Sequence, residues 1–206
     1  MLAARVQLTQ RQTSETRQAL DEAREALLAF AAAWGRLPCP ASSGVPGQGL
    51  ENCSIAASGG TQRGLLPWET LGIRGVDGWN RRLAYITTKS LATPGVSVTL
   101  SSLGSVVVSA GAAGGGTSLA STGAVAAAVW SFGANGKFAT LTDGTVLPGD
   151  IGTDEQTNST SVGGNTVVSR DESENTSIAG GTFDDQVIWI SRYVLFGRMM
   201  SAGQLP

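Results

Sequence analysis

The 206-residue chain contains no histidine. Without imidazole, Ser-His-Asp and Cys-His nucleophilic sites cannot form, and zinc sites built on histidine ligands are excluded. The only two cysteines cannot complete a structural zinc site on their own. Catalysis would have to depend on carboxylates, lysine, tyrosine or serine, so the composition favours a protein that is not an enzyme.

Charged residues are also scarce. They make up 15% of the chain, and the net charge is -2. This gives no electrostatic reason to expect nucleic acid or an anionic membrane as a partner. The hydrophobic fraction of 41% is compatible with a folded core, while the 28 glycines and a middle section rich in serine and threonine favour β-structure with long loops.

Long apolar runs are missing. The longest one, Ala26–Trp34, has about half of the roughly 20 residues that a helix needs to cross a bilayer. The N-terminus also lacks the basic, apolar and small-residue regions of a signal peptide. If the protein works outside the cytoplasm, we expect a segment N-terminal to Met1 to carry its membrane anchor.

The two cysteines, Cys39 and Cys53, lie in a stretch rich in glycine, proline and serine. An even number of cysteines in such a stretch favours a disulfide, although two unrelated buried thiols are the alternative. A bridge closing a loop of about 15 residues would stabilise the fold by roughly 3 kcal/mol. A disulfide would also indicate a location outside the cytoplasm.

The chain from Met1 to Trp34 contains neither glycine nor proline, which predicts one long helix. Gly35 and Pro38 then supply stop signals. From Leu20 onward the apolar residues recur at spacings of three and four, so they share a face, whereas the polar first half is predicted to project as a stalk. The residues predicted to pack against a sheet are Leu20, Leu27, Phe30 and Trp34.

The rest of the chain divides into a loop at residues 35–64, which contains both cysteines, and a β-sheet region at residues 65–206. Alternation around Tyr85 predicts the first strand. The other predicted elements are strands at 96–100, 105–110, 124–132 and 187–190, a hairpin at 166–169 within a long polar loop at 133–181, and a helix at 193–200. The predicted fold class is α+β, a single domain in which a long N-terminal α-helix packs on an antiparallel β-sheet with long loops.

Four stretches of the sequence carry family-like patterns: TRQALDEAREALLAFAAAWGRLPCPA at 16–41, LLPWETLGIRGVDGWNRRLAY at 65–85, VWSFGANGKF at 129–138 and FDDQVIWIS at 183–191. Together they resemble type IV pilin-like proteins, a family that includes minor pilins and the pseudopilins of type II secretion systems. The first resembles the end of the family's N-terminal helix and the second the entry into its sheet. The third resembles its Ser-x-Gly-x-Asp/Asn-Gly element and the fourth its closing strand.

The resemblance implies a structural subunit of a type IV pilus or a type II secretion pseudopilus, which acts by assembling into a filament. Its partners would be other pilin or pseudopilin subunits and the inner membrane. The subunit would be anchored on the periplasmic face before it enters the filament. The family's Gly-Phe-Thr-Leu-Ile-Glu start, which is cleaved and methylated, does not occur in this chain, so we expect it upstream of Met1.

The resemblance also implies a calcium site, because major pseudopilins hold a calcium ion in loops near the sheet edge. Asn135 falls where the family has an aspartate, and Asp184 or Asp185 falls at its closing aspartate. Calcium prefers six to eight oxygen ligands, so these three residues are the metal candidates. The alternative is that Asp184 and Asp185 only orient the last strand.

Two other functions stay open. A secreted carbohydrate- or surface-binding adhesin would expose several aromatic side chains on one sheet face, whereas the five tryptophans are predicted mainly to pack in the core. A carboxylate-based hydrolase would need two acids in an apolar cleft. The acids available for it, which we predict to be solvated loop charges, are Asp154, Glu155, Asp171, Glu172 and Glu174.

Overall fold

The computed structural model describes residues 2–42 and 49–205 of the chain. Helix α1 spans Leu2–Trp34 and is therefore about 50 Å long. It ends where Gly35 adopts a left-handed conformation with a φ of 67°. The Gly35 amide donates to the carbonyl of Ala31 at 2.9 Å, so a glycine closes the helix as the sequence predicts.

A four-stranded antiparallel sheet forms the centre of the molecule, with strand order β1-β3-β5-β8. Its strands are β1 (Thr61–Leu65), β3 (Ala84–Thr88), β5 (Val125–Ser131) and β8 (Gln186–Ser191). Tyr85 is paired with Gly64 on one side and with Val129 on the other. Together with α1, this sheet confirms the predicted α+β fold of a long N-terminal helix packed on an antiparallel sheet.

Helix α1 packs on one face of the sheet. Leu27 is fully buried, and Leu20 is 2% exposed. They share a core with Tyr85, Val129 and Ile190 of the sheet. Burying side chains of this size contributes about 1.5–3 kcal/mol each. The C-terminal helix α5 (Arg192–Ser201) adds buried residues to the same core.

The prediction that Trp34 packs on the sheet is wrong. Trp34 is 69% exposed and stacks on Phe30, with ring centroids 6.0 Å apart. Phe30 itself is half-buried. The physical reason is that the helix ends at Gly35, directly after Trp34, and the chain then turns so that Leu37 and not Trp34 joins the core shared with the sheet.

Packing of α1 begins earlier than the polar sequence of its first half suggests. Thr16 is fully buried, and its Oγ1 accepts a hydrogen bond from the Gly78 amide at 3.0 Å. A Cβ on Gly78 would lie 2.1 Å from the carbonyl oxygen of Gln12, so only glycine allows this close approach. Nearer the N-terminus, Val6 and Leu8 are exposed, at 53% and 56%.

The other face of the sheet carries a second layer. Strands β4 (Val107–Ser109) and β7 (Thr166–Val168) pair in parallel, so the hairpin predicted at 166–169 does not form. Residues 96–100, predicted as a strand, contain none. Strands β2 (Arg81–Arg82) and β6 (Thr140–Leu141) form a further short pair. This layer covers a core that includes Trp130, Phe132, Val108 and Val167.

The predicted disulfide between Cys39 and Cys53 is confirmed. Beside it, Arg36 makes a two-pronged ion pair with Glu51, at 2.8 and 2.7 Å, and the Cys39 amide donates to the same carboxylate at 2.9 Å. These contacts fasten the loop to the end of α1. The loop ends sooner than predicted, because β1 already starts at Thr61.

Three short α-helices and a 3-10 helix at Ala112–Gly114 complete the described part of the fold; the α-helices are α2 (Trp68–Leu71), α3 (Lys89–Ala92) and α4 (Asp154–Asn158). Helix α4 interrupts the segment at 133–181 that was predicted to be a polar loop. Across residues 2–42 and 49–205, none of the helices combines the length and the apolar character that a bilayer crossing requires.

Candidate metal centre

Three carboxylates converge beside the start of β8. Asp184 and Asp185 directly precede this strand, and Glu155 lies in the first turn of α4. One oxygen from each lies within 4.8 Å of the others. Glu155 is fully buried, Asp185 is 7% exposed, and Asp184 is half-buried. Because like charges at this separation repel one another, the cluster requires a cation or retained protons.

The start of α4 is fixed by its own sequence, Thr-Asp-Glu-Gln. The Thr153 hydroxyl accepts a hydrogen bond from the Gln156 amide at 3.2 Å. The Gln156 side chain in turn accepts one from the Gly152 amide at 2.6 Å. This arrangement resembles a capping box, which satisfies the free amides of a helix start. It holds the turn that carries Glu155 into the cluster.

Asp154, next to Glu155, locks α4 to the surrounding loops. Its carboxylate accepts hydrogen bonds from Arg170 Nε at 2.8 Å and from the Ala112 amide at 2.9 Å. At Gly180, a Cβ would lie 2.1 Å from Asp154 Oδ2, and the φ of 83° also favours glycine. Asp154 is therefore a structural anchor with its charge compensated by Arg170.

The far end of α4 is held by a buried arginine of β1. Arg63 Nη1 donates to the carbonyls of Thr157 at 2.6 Å and Ser159 at 3.2 Å, and Nη2 donates to the carbonyl of Thr166. Burial lowers the pKa of Arg63 to about 10. Within the described residues no carboxylate pairs with it. Carbonyls at the negative end of α4 therefore stabilise its charge.

Each carboxylate of the cluster has one oxygen in a hydrogen bond and one without. Asn135 donates from its amide to Asp184 Oδ2 at 2.8 Å and from Nδ2 to Glu155 Oε1 at 2.7 Å. Asn158 Nδ2 donates to Asp185 Oδ2 at 2.8 Å. The second oxygens, Glu155 Oε2, Asp184 Oδ1 and Asp185 Oδ1, accept no hydrogen bond from any described residue. Buried polar atoms without partners are costly, so these oxygens are available as ligands.

Two cationic side chains lie near the cluster: Arg170, whose charge acts on Asp185, and Lys137, from the segment after β5. Lys137 Nζ lies 3.3 Å from Glu155 Oε2, a distance that allows an ion pair, although the orientation does not make a hydrogen bond. The same ammonium group lies 2.8 Å from Asp150 Oδ2 and donates to Thr182 Oγ1 at 2.7 Å. Lys137 therefore compensates only part of the negative charge.

The uncompensated charge is reflected in the acidities of the aspartates. Burial, with added repulsion from Glu155, raises the pKa of Asp184 to about 6. Burial raises the pKa of Asp185 well above its usual value, and the charges of Glu155 and Asp184 act in the same direction. A divalent cation would reverse these shifts, because it favours the ionised form of every ligand.

The unpartnered oxygens fit a calcium ion, which takes hard oxygen ligands. Two of the predicted metal candidates, Asp184 and Asp185, do lie together. The third, Asn135, adjoins them through its hydrogen bonds to Asp184 and Glu155, and its Oδ1 accepts one hydrogen bond, from the Lys137 amide at 2.9 Å. Its role is to position the carboxylates. Further ligands would have to be backbone carbonyls or water.

Glu155 was not among the predicted metal ligands, and the prediction that it is a solvated loop charge is wrong, as it is for Asp154. Asp154 contacts Arg170, and Glu155 contacts Asn135 and Lys137, so both acids have partners that are not their neighbours in sequence. The capping-box pattern at Thr153–Gln156 is a local signal that could have indicated the helix. The other acids of that group, Asp171, Glu172 and Glu174, are exposed as predicted.

Comparison of the chain with models of known protein families, with curated proteins and with solved structures gives no match. The helix, the antiparallel sheet and the disulfide are consistent with a pilin-like fold.

Proposed function

We propose that this protein is a structural subunit of a type IV pilus or a type II secretion pseudopilus, and that it acts by assembling into a filament. The observation that carries the proposal is the division of α1. From about Gln12 onward the helix packs on the domain, whereas Val6 and Leu8 are more than half exposed. A helix that extends beyond its own domain can pack against the helices of neighbouring subunits.

In this proposal the globular part packs on the second half of α1, and the exposed first turns of the helix contact neighbouring subunits during assembly. An apolar helix encoded upstream of Met1 would anchor the subunit in the inner membrane and then enter the filament core. The disulfide loop would hold the far end of α1 through the Arg36–Glu51 pair. The location would be the periplasmic face before assembly and the filament afterwards.

The proposal includes a structural role for calcium at the acidic cluster. Glu155, Asp184 and Asp185 would hold the ion, which would supply the positive charge that Lys137 supplies only in part. The ion would fasten α4 to the start of β8, because the ligands come from these two segments. Such a site would stabilise the polar segment after β5 without taking part in any reaction.

The nucleotide sequence of the gene provides the first test of the proposal. The reading frame upstream of Met1 should encode roughly 20 apolar residues, preceded by a short basic leader. Mass spectrometry of the protein from its native membrane should show that the leader is removed and the new N-terminus methylated. A frame that encodes a cleaved secretory signal, with no apolar helix retained in the mature protein, would contradict the proposal.

The adhesin alternative is less well supported. Of the tryptophans and tyrosines, all of which lie within the described residues, only Trp34 and Tyr193 are exposed. Trp34 ends α1 and Tyr193 lies in α5, so neither belongs to a sheet face. Stacking of sugars requires neighbouring exposed rings, and the described sheet offers none.

A further inference from the structure

The position of Lys137 suggests how occupancy of the acidic cluster is controlled. We propose that Lys137 is a tethered counter-ion of the cluster, which a calcium ion must displace from Glu155 in order to bind. This inference rests on the calcium role included in the proposed function. According to this inference, Lys137 weakens metal binding although its side chain lies at the metal centre.

The lysine ammonium group bridges two carboxylates in different surroundings. Glu155 is fully buried, whereas the side chain of Asp150 is 66% exposed. Lys137 Nζ approaches Asp150 at 2.8 Å but Glu155 at 3.3 Å. It also donates a hydrogen bond to Thr182 Oγ1. The ammonium group therefore lies closer to Asp150 and Thr182, the outer partners, than to Glu155, the buried one.

Lysine and calcium compete because both require the same oxygen. Glu155 Oε2 has no hydrogen bond from a described residue, and the ammonium group of Lys137 forms its ion pair at 3.3 Å. A calcium ion within coordination distance of that oxygen, about 2.3–2.6 Å, would repel an ammonium group 3.3 Å away. Coulomb repulsion between a divalent and a monovalent cation at such distances is strong when the site is buried.

The structure already offers other partners for the lysine ammonium group. Asp150 and Thr182 both contact Nζ and lie outside the cluster, so Lys137 can retain them after it leaves Glu155. A groove of about 510 Å³ opens here and is lined by Lys137, Thr182, Asp184 and other residues. An ion can therefore reach Asp184, beside Lys137, through this groove.

A purely structural role for Lys137 predicts the opposite behaviour. In that case the lysine would hold Asp150 and Glu155 in place, and its removal would disorder the cluster and weaken metal binding. A competing cation, by contrast, strengthens metal binding when it is removed. The sign of the change in calcium affinity therefore separates the two roles.

The test is isothermal titration calorimetry of calcium chloride into the metal-stripped full chain. Lys137→Met keeps an unbranched side chain that is one atom shorter and removes the charge, and it should tighten calcium binding by about tenfold or more. Lys137→Arg is the matched control that keeps the charge, and its affinity should stay within about threefold of wild type.

Asp150→Asn provides a second, opposite test. Without Asp150 the lysine loses its outer ion pair and remains closer to Glu155, so calcium binding should weaken by about threefold or more. In the Lys137→Met background the same change should alter the affinity by less than about twofold. A double-mutant cycle thus measures whether Asp150 acts through Lys137.

Two results would overturn the inference, and they are distinguishable. If wild type binds calcium and Lys137→Met binds it equally or more weakly, Lys137 does not compete with the ion, and the calcium role stands. If none of the variants binds calcium, the calcium role fails together with this inference. Neither result bears on filament assembly, which the upstream gene sequence tests separately.

Discussion

At the scale of single residues, the acidic cluster combines burial with incomplete charge compensation. Asp184 has one oxygen held by the Asn135 amide and one without a partner, and burial raises its pKa to about 6. An acid whose pKa is raised in the folded state binds its proton more tightly there. It therefore costs stability as the pH rises from about 4, the value for an unfolded aspartate, to about 6.

Asp184→Asn should consequently raise the melting temperature of calcium-free protein at neutral pH. The gain should appear as the pH rises from about 4 to about 6 and stay constant above. The same variant should lose most of the thermal stabilisation that calcium gives to wild type. Glu174→Gln, which removes one charge from an exposed acid, is the control. If calcium raised the melting temperature of Asp184→Asn as much as that of wild type, the metal role would be contradicted.

The ion pair beside the disulfide has the opposite pH dependence. Burial by itself would raise the pKa of Glu51, but hydrogen bonds from Arg36 and the Cys39 amide outweigh it and lower the pKa below the usual value. A lowered pKa contributes stability above the unfolded value of about 4.3, which is lost as the pH falls through the folded pKa.

Glu51→Gln should therefore be less stable than wild type at neutral pH, and the difference should shrink below about pH 4. Thermal unfolding of both proteins across this range provides the measurement. A difference that is the same at all pH values would show that the pair contributes through packing and not through charge.

At the scale of elements, α1 buries a narrower stripe than its sequence suggests. Leu27 is fully buried, so Leu27→Ala should cost about 2–5 kcal/mol. Phe30 is only half-buried, and Phe30→Ala should cost less than the roughly 3–5 kcal/mol of a core phenylalanine. Trp34→Ala should stay within about 0.5 kcal/mol of wild type.

Urea unfolding of these three variants measures the order of the effects. Leu27→Ala should be the most destabilised of the three and Trp34→Ala the least. If Trp34→Ala unfolded as readily as Leu27→Ala, the packing of α1 described here would be wrong.

The sequence predicts those elements whose formation depends on residues close together in the chain, and it misses those that depend on distant partners. The extent of α1 follows from the absence of glycine and proline before Gly35, and the strand around Tyr85 follows from alternation, because both signals are local. The parallel pairing of β4 with β7 and the burial of Glu155 depend on partners far along the chain. The Glu155 carboxylate contacts Asn135, which lies 20 residues earlier in the chain, and nothing near Glu155 in sequence indicates this contact.

At the scale of the whole molecule, one antiparallel sheet carries a layer on each face. Its first face packs on α1, the element that we propose assembles the filament, through a core that includes Leu27 and Tyr85. Its second face packs on the layer that includes β4 and β7. The acidic cluster lies beside the start of β8, where Thr9, Thr13 and Arg17 of α1 line the same groove as Asp184 and Asp185. The candidate metal centre therefore adjoins the first half of α1.

The central claim, that the exposed first turns of α1 assemble the filament, is tested most directly by electron microscopy of filaments formed from the full-length gene product. Leu8→Arg should abolish assembly while leaving the melting temperature unchanged, since Leu8 is 56% exposed. Val146→Arg is the matched control, because it makes the same kind of change at a site that is 49% exposed on the globular domain, and it should assemble. Filaments of Leu8→Arg as abundant as those of wild type would contradict the account.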